Sequence, residues 1–247
     1  MKQPHHPSFP PSTWIYSLCL ATALSVFFLR APAQNTDAKT SAPVVAAAPA
    51  AAPAAVLTPD QVLQRLLEGN QRYVAGQPTH PDQSVERRSE LAASQAPLAV
   101  VLTCSDSRVS PELFFDQGLG DLFVIRNAGN VLDDHVIGTM EYAVEHLHVG
   151  LIIVVGHSKC GAVSAAVAGG EIPGHIRSLT DAIAPALEDA KDAPGDKIDN
   201  VVRANARRAA ATLTHVEPFL KSAVSAGHLR IVAARYDIST GQVEILK

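Results

Sequence analysis

Apolar positions from residue 98 onward gather into four short runs: Leu98–Thr103, Asp121–Ile125, Leu151–Val155 and Leu229–Ala233. Near-continuous stretches of Val, Ile and Leu with little alternation suit strands buried on both faces of a parallel sheet. Between these runs the period changes. Leu63, Leu66 and Leu67 recur at helical spacing, as do Ile137, Met140, Val144 and Leu147 within 136–148. Thr58-Pro59-Asp60-Gln61 reads as a helix start, with Thr58 the N-cap, Pro59 in the first turn and Gln61 closing a capping box. Asn70 and Arg72 are placed at the far end of that helix, fixing its exit. Gly161–Ala168 and Ile198–Val216 are further helical stretches, and Tyr236–Gly241 is a turn into an edge strand, Val243–Leu246. Strands alternating with helices predict an α/β domain with a mainly parallel central β-sheet flanked by helices.

The N-terminal part breaks this pattern. Met1–Trp14 is polar and Pro-rich, 14–29 is mostly apolar, and Ala31-Pro32-Ala33 is a small-x-small triplet. That layout predicts a secretory signal peptide over 1–33, cleaved after Ala33. An uncleaved membrane anchor is the competing reading: the run is slightly short for about 30 Å of hydrocarbon, but Arg30 on its far side is atypical of a signal peptide. Residues 34–57 are Ala- and Pro-rich without a period, a disordered linker. The remaining 58–247 is the size of one domain. The expected location is periplasmic or secreted, with no stable membrane insertion after cleavage. Asp and Glu outnumber Lys and Arg by 24 to 20, and aromatics are 5% of the chain. A mildly acidic chain with no basic stripe argues against nucleic acid as a partner.

Two of the apolar runs end in chemistry. Cys104-Ser-Asp106-Ser-Arg108 follows the first, and Gly156-His157-Ser-Lys-Cys160-Gly161 follows the third. Open α/β sheets bind ligands beyond the C-terminal ends of their strands, so the two strings are expected to meet there. Cys104, His157 and Cys160 offer two thiolates and an imidazole, a donor set that suits Zn²⁺. Three protein ligands leave a fourth position for water, which zinc acidifies towards neutral pH. Two thiolates make the metal less acidic than neutral imidazoles would, so Arg108 and protein dipoles have to offset them. A disulfide between Cys104 and Cys160 is the oxidising-compartment alternative, disfavoured by the neighbouring His157 and Asp106. Asp106 has two open arrangements: a fourth metal ligand, or a carboxylate held off the metal by a bidentate bond from Arg108. Arg126 reads as a structural ion-pair partner nearby.

At this point the chain resembles the β-class carbonic anhydrases. The resemblance is carried by Cys104-Ser-Asp-Ser-Arg108, Gly120-Asp-Leu-Phe-Val-Ile-Arg-Asn-Ala-Gly129, Glu141-Tyr-Ala-Val144, Gly156-His-Ser-Lys-Cys-Gly161 and Tyr236-Asp-x-x-Thr-Gly241, in order across most of 58–247. It implies Zn²⁺ on Cys104, His157 and Cys160, a catalytic Asp106–Arg108 dyad, and reversible hydration of CO₂ to bicarbonate and a proton by zinc-bound hydroxide. It implies a homodimer or dimer-based tetramer with the active site at the subunit interface. It also implies substrate-binding roles for Gln95, nine residues before Cys104, for Phe123 and Tyr142 as apolar-pocket positions, and for the Gly161 backbone. The family's bicarbonate-inhibited branch carries a Trp three residues before the first Cys; Val101 stands there instead. Arg235 departs from the Gly-rich segment expected before Tyr236. Hydrolysis of a CO₂ analogue and a non-catalytic zinc-stabilised scaffold are the rival functions, with a redox thiol protein a distant third.

Overall fold

The computed structural model describes residues 57–247, so the signal-peptide, cleavage and linker readings on 1–56 lie outside the described residues. Five strands, Ala99–Cys104 (β1), Leu122–Asn127 (β2), Leu151–His157 (β3), Arg230–Tyr236 (β4) and Val243–Leu246 (β5), form one sheet in the order β2-β1-β3-β4-β5. All neighbours are parallel except β5, which runs antiparallel to β4. The mainly parallel α/β architecture expected from the runs is the one observed, and β5 is the expected edge.

Alternate residues of each strand feed two cores. Val100, Leu102, Ile152, Val154 and Ala233 face one side, where Asp134–Leu147 (α4), Lys197–Leu213 (α7) and Phe219–Ser225 (α8) cover them. Ala99, Val101, Ile153, Val155, Val232 and Ala234 face the other, under Pro59–Val74 (α1) and the short Pro111–Phe114 (α3). Every residue of β1 and β3 is buried, which is why both read as unbroken apolar runs.

α1 starts as the sequence indicates, with both bonds of the Thr58–Gln61 capping box formed. Asn70, near its end, is structural: its Nδ2 donates to the Phe114 and Gly241 carbonyls at 2.9 and 2.8 Å, and its Oδ1 accepts from Val243 N–H at 2.8 Å. One buried amide thereby ties α1 to α3 and β5. Arg72 pairs with Asp116 at 2.7 Å. Four helices were not anticipated: Val85–Glu90 (α2), α3, Ile176–Asp189 (α6) and α8. α6 carries Pro185 in its interior, which removes a ladder donor and reads as a break. β4 runs to Tyr236, three residues beyond the expected end, and α7 stops at Leu213 rather than Val216. No helix among the described residues is long and apolar enough to cross a membrane.

Gly161–Ala168 (α5), α6 and the first half of α7 enclose a third core at the C-terminal rim of the sheet. It holds Cys104 and Cys160 among Val163, Ile183, Val201 and Val202. α7 approaches β3 closely there: a Cβ on Gly156 would lie 2.8 Å from Val202 Cγ1 and 3.1 Å from its carbonyl oxygen. Arg235 locks α7 to the β4–β5 turn, with ion pairs to Asp199 at 2.5 Å and Asp237 at 3.0 Å. Arg203 extends that network from Asp199 at 2.8 Å to Glu244 at 2.7 Å.

Candidate metal centre and active site

Cys104 closes β1, His157 closes β3 and Cys160 is the N-cap of α5. β1 and β3 are hydrogen-bonded neighbours, so their ends deliver the first two side chains side by side. The third arrives through a tight turn in which Lys159 adopts φ 57°. This left-handed conformation costs a non-glycine residue roughly 1–2 kcal/mol and reverses the chain towards the sheet rim. The ligand atoms of the three residues all lie within 4.8 Å of one another, and all three residues are buried.

The donor set fits a metal ion. His157 Nδ1 lies 2.9 Å from the Ser158 carbonyl. A carbonyl only accepts, so Nδ1 carries the proton and Nε2 holds the free lone pair. Nε2 is buried without any hydrogen-bond partner, an arrangement that costs free energy unless a further group binds there. Fixing one imidazole nitrogen on a carbonyl is how metal-binding histidines are oriented. Cys104 and Cys160 are both free thiols. The bond from Cys160 is the main reason Cys104 is pulled down to about 4; burial opposes this, and His157 and the Gly129 N–H add to it. That same bond and burial push Cys160 up. Gly129 N–H lies 3.3 Å from Cys104 Sγ.

Asp106 is not part of the three-residue group. Arg108 grips it in fork geometry, Nε to Oδ1 at 2.9 Å and Nη2 to Oδ2 at 2.7 Å, while Arg108 N–H adds a bond to Oδ1 at 3.0 Å. The guanidinium holds the Asp106 carboxyl well below the usual carboxylate range. Arg126 corrects an expectation. It makes no ion pair among the described residues; its Nε donates to the Cys104 carbonyl at 3.0 Å and its Nη2 to the Asp106 carbonyl at 2.6 Å. It braces the main chain on both sides of Ser105.

A family model described as carbonic anhydrase matches residues 99–243, from the first strand to the start of the last. Carbonic anhydrase 2 of Mycobacterium tuberculosis is 42% identical over 181 residues, 72% of this chain and 87% of that protein. The carbonic anhydrase of Mycolicibacterium smegmatis is 42% identical over 184 residues, 73% of this chain and 89% of that protein. The chain belongs to the β-class carbonic anhydrases. The β class is also the class of its structural neighbours. A tetrameric β-carbonic anhydrase of Sordaria macrospora superposes with a TM-score of 0.62 at 27% identity, over 74% of this chain and 96% of that one. The Coccomyxa enzyme in complex with acetazolamide gives 0.58 at 28%, over 74% and 86%. The reaction of this carbonic anhydrase is the hydration of CO₂.

Of the residues expected to bind substrate, Phe123 and Tyr142 do not pack around the cysteines within one chain. Phe123 on β2 and Tyr142 on α4 pair with ring centroids 6.4 Å apart. Phe123 packs in the core under α4 and α7, not in the core that holds Cys104 and Cys160. Gln95 is exposed in the loop before β1, and its side chain makes no hydrogen bond among the described residues. Gly161 does sit at the centre, one residue after Cys160, and a Cβ there would meet no atom within 4 Å. Three contributors had no role assigned from the sequence: Gly129 and Ser158, inside the quoted motifs, which reach Cys104 through a backbone N–H and orient His157 through a carbonyl; and Asn205, outside them, whose Nδ2 donates to the Gly129 carbonyl at 2.9 Å. The Asn-Ala-Gly-Asn turn after β2 and a polar residue in the Ala-rich α7 were the available signals.

Proposed function

We propose that Cys104, His157 and Cys160 hold Zn²⁺ and that the chain carries out zinc-dependent, reversible hydration of CO₂ to bicarbonate and a proton. The observation that supports this most directly is the convergence of three buried donors within 4.8 Å, one of them an imidazole nitrogen with no other partner. Zn²⁺ supplies Lewis-acid activation of water near neutral pH. The chain's own residues arrange the rest. Asp106 Oδ2 accepts one bond from Arg108 and keeps a lone pair for the O–H of the attacking water. Arg108 holds that carboxylate ionised, oriented and off the metal. The open space beside Gly161 admits a small linear substrate next to a helix N-terminal N–H that can steady a developing negative oxygen.

Gln95, Phe123 and Tyr142 act on substrate from a second copy of the chain. Their separation from the cysteines within one chain supports this, as do the exposure of Tyr142 at 48% and the tetrameric state of the Sordaria relatives. The assembly is a homodimer or a dimer-based tetramer. Export is proposed on the layout of 1–33, with Ala33 the last residue removed; sequencing the N-terminus of protein from a periplasmic fraction tests it, and a start before Gln34 overturns it. Stopped-flow CO₂ hydration on zinc-loaded protein, with metal analysis of the same sample, tests the function. About one zinc per chain and hydration well above the buffer rate are expected. A metal-free preparation that hydrates CO₂ equally well would sink the ligand assignment, and a zinc-loaded one no faster than buffer would sink the function.

A further inference from the structure

Asn205 lies in the interior of α7 and is only 6% exposed, flanked on its buried face by Val201, Val202, Ala206 and Ala209. Asn is a weak helix former, and a buried amide is costly unless it is bonded. Its Nδ2 has one partner, the Gly129 carbonyl, at 2.9 Å and 76 positions away in the chain. Gly129 is itself over-determined. It adopts φ +79°, and a Cβ there would lie 2.8 Å from Ile183 Cδ1 and 3.1 Å from Ala162 Cβ. Its N–H faces Cys104 Sγ at 3.3 Å. The ends of this short loop are clamped by Asn127, whose Oδ1 accepts from Val131 N–H at 2.9 Å and whose Nδ2 donates to the Val131 carbonyl at 2.8 Å. Asn205 holds the middle, at the residue that meets the sulfur.

We infer that Asn205 is a positioning residue for the metal centre: it fixes the Gly129 peptide so that its N–H donates to the Cys104 sulfur and sets how strongly that ligand donates to the metal. The inference rests on the ligand set proposed above. A hydrogen bond draws electron density from a thiolate, and such outer partners tune both the affinity and the electronic character of a metal site. It addresses the problem that two sulfur ligands pose for a hydrolytic metal. This loop serves the Cys104 sulfur alone; Cys160 has its backbone N–H groups from Ala162 and Val163 instead.

The test replaces zinc with cobalt(II) in the full-length protein and reads the thiolate-to-cobalt charge-transfer band and the cobalt affinity by chelator competition. Asn205→Leu keeps most of the side-chain volume and removes the donor. Asn205→Ser, too short to span the gap, is a second variant should the first fold poorly. Arg208→Ala, on the same helix in an exposed pair with Asp189, is the control. The expected result is a band moved to lower energy in both Asn205 variants and affinity weakened about 10- to 100-fold, the range for lost outer-shell partners, with Arg208→Ala matching wild type. A lowered melting temperature with band and affinity unchanged shows Asn205 to be packing alone and overturns the inference. Wild-type protein that gives no thiolate band with cobalt overturns the metal centre itself, a different outcome.

Discussion

Asp106 is the residue on which the proposed chemistry turns, because one carboxylate cannot both close the metal site and serve the attacking water. Both its oxygens are already engaged by Arg108, at 2.9 and 2.7 Å. Asp106→Ala is therefore expected to lower CO₂ hydration by about 10²-fold or more, the usual cost of losing a positioned proton acceptor, with zinc content unchanged by metal analysis. Loss of zinc from the variant would instead mark Asp106 as a ligand. Asp116 makes a different prediction. It is buried, yet Thr79 N–H, Arg72, His80 N–H and the Thr79 hydroxyl outweigh the burial and lower its carboxyl. A carboxyl lowered on folding stabilises the fold above its unfolded value and loses that contribution as pH falls through the folded one. Asp116→Asn should cost about 2–4 kcal/mol at pH 7 by urea unfolding, from the loss of charge-assisted bonds. The deficit should be flat down to about pH 5 and begin to narrow below about pH 4, where the unfolded chain takes up the proton. A deficit that grows on acidification contradicts this. At this scale the sequence was legible wherever a side chain's own chemistry acts: the two thiols, the imidazole and the carboxylate–guanidinium pair. Gly129, Ser158 and Asn205 were not, because the first two act through main-chain groups and the third through a bond to one, whose positions only the fold defines.

Elements were legible where burial imposes a period. β1 and β3, buried along their whole length, showed as apolar runs, and α1 announced its own start through its capping box. The missed elements lack such a signal. α3 has four residues, α2 buries none, and α6 is interrupted by Pro185. Those elements are held by tertiary contacts, as in the packing of Phe114 on Tyr236, with stacked rings 4.6 Å apart. Gly156 shows how an element junction constrains the site. It directly precedes His157, and its missing side chain lets α7 sit against the end of β3. Gly156→Ala puts a methyl group 2.8 Å from Val202 Cγ1 and 3.1 Å from a backbone oxygen that cannot easily retreat. Overpacking of this kind costs about 1–3 kcal/mol. The variant should lose that much stability in urea unfolding, and it should also bind zinc more weakly, because relief by moving β3 moves His157. Wild-type stability would show that α7 yields freely and does not set the rim.

At the scale of the whole molecule, one chain holds all three proposed metal ligands but leaves part of its surface without a role of its own. β2 is an open edge of the sheet and only half-buried along most of its length. Beside it, Tyr142 is 48% exposed and Leu119, in the turn before β2, is 49% exposed. An apolar parallel edge of this kind is an aggregation hazard unless another chain covers it. The proposed assembly covers it and also brings Phe123, Tyr142 and Gln95 to a neighbour's metal centre. The consequence can be tested without touching any ligand. Tyr142→Arg places a charge on the exposed face, where it would be buried against a second copy; an uncompensated buried charge costs about 3–5 kcal/mol. Sedimentation should show the variant largely monomeric at concentrations where wild type is assembled. Its zinc content should be unchanged, because Cys104, His157 and Cys160 all come from one chain. Its hydration rate should fall with the loss of assembly and recover partly as protein concentration rises. A monomeric variant as active as wild type would show that each chain carries a complete pocket, and would remove the interface from the mechanism.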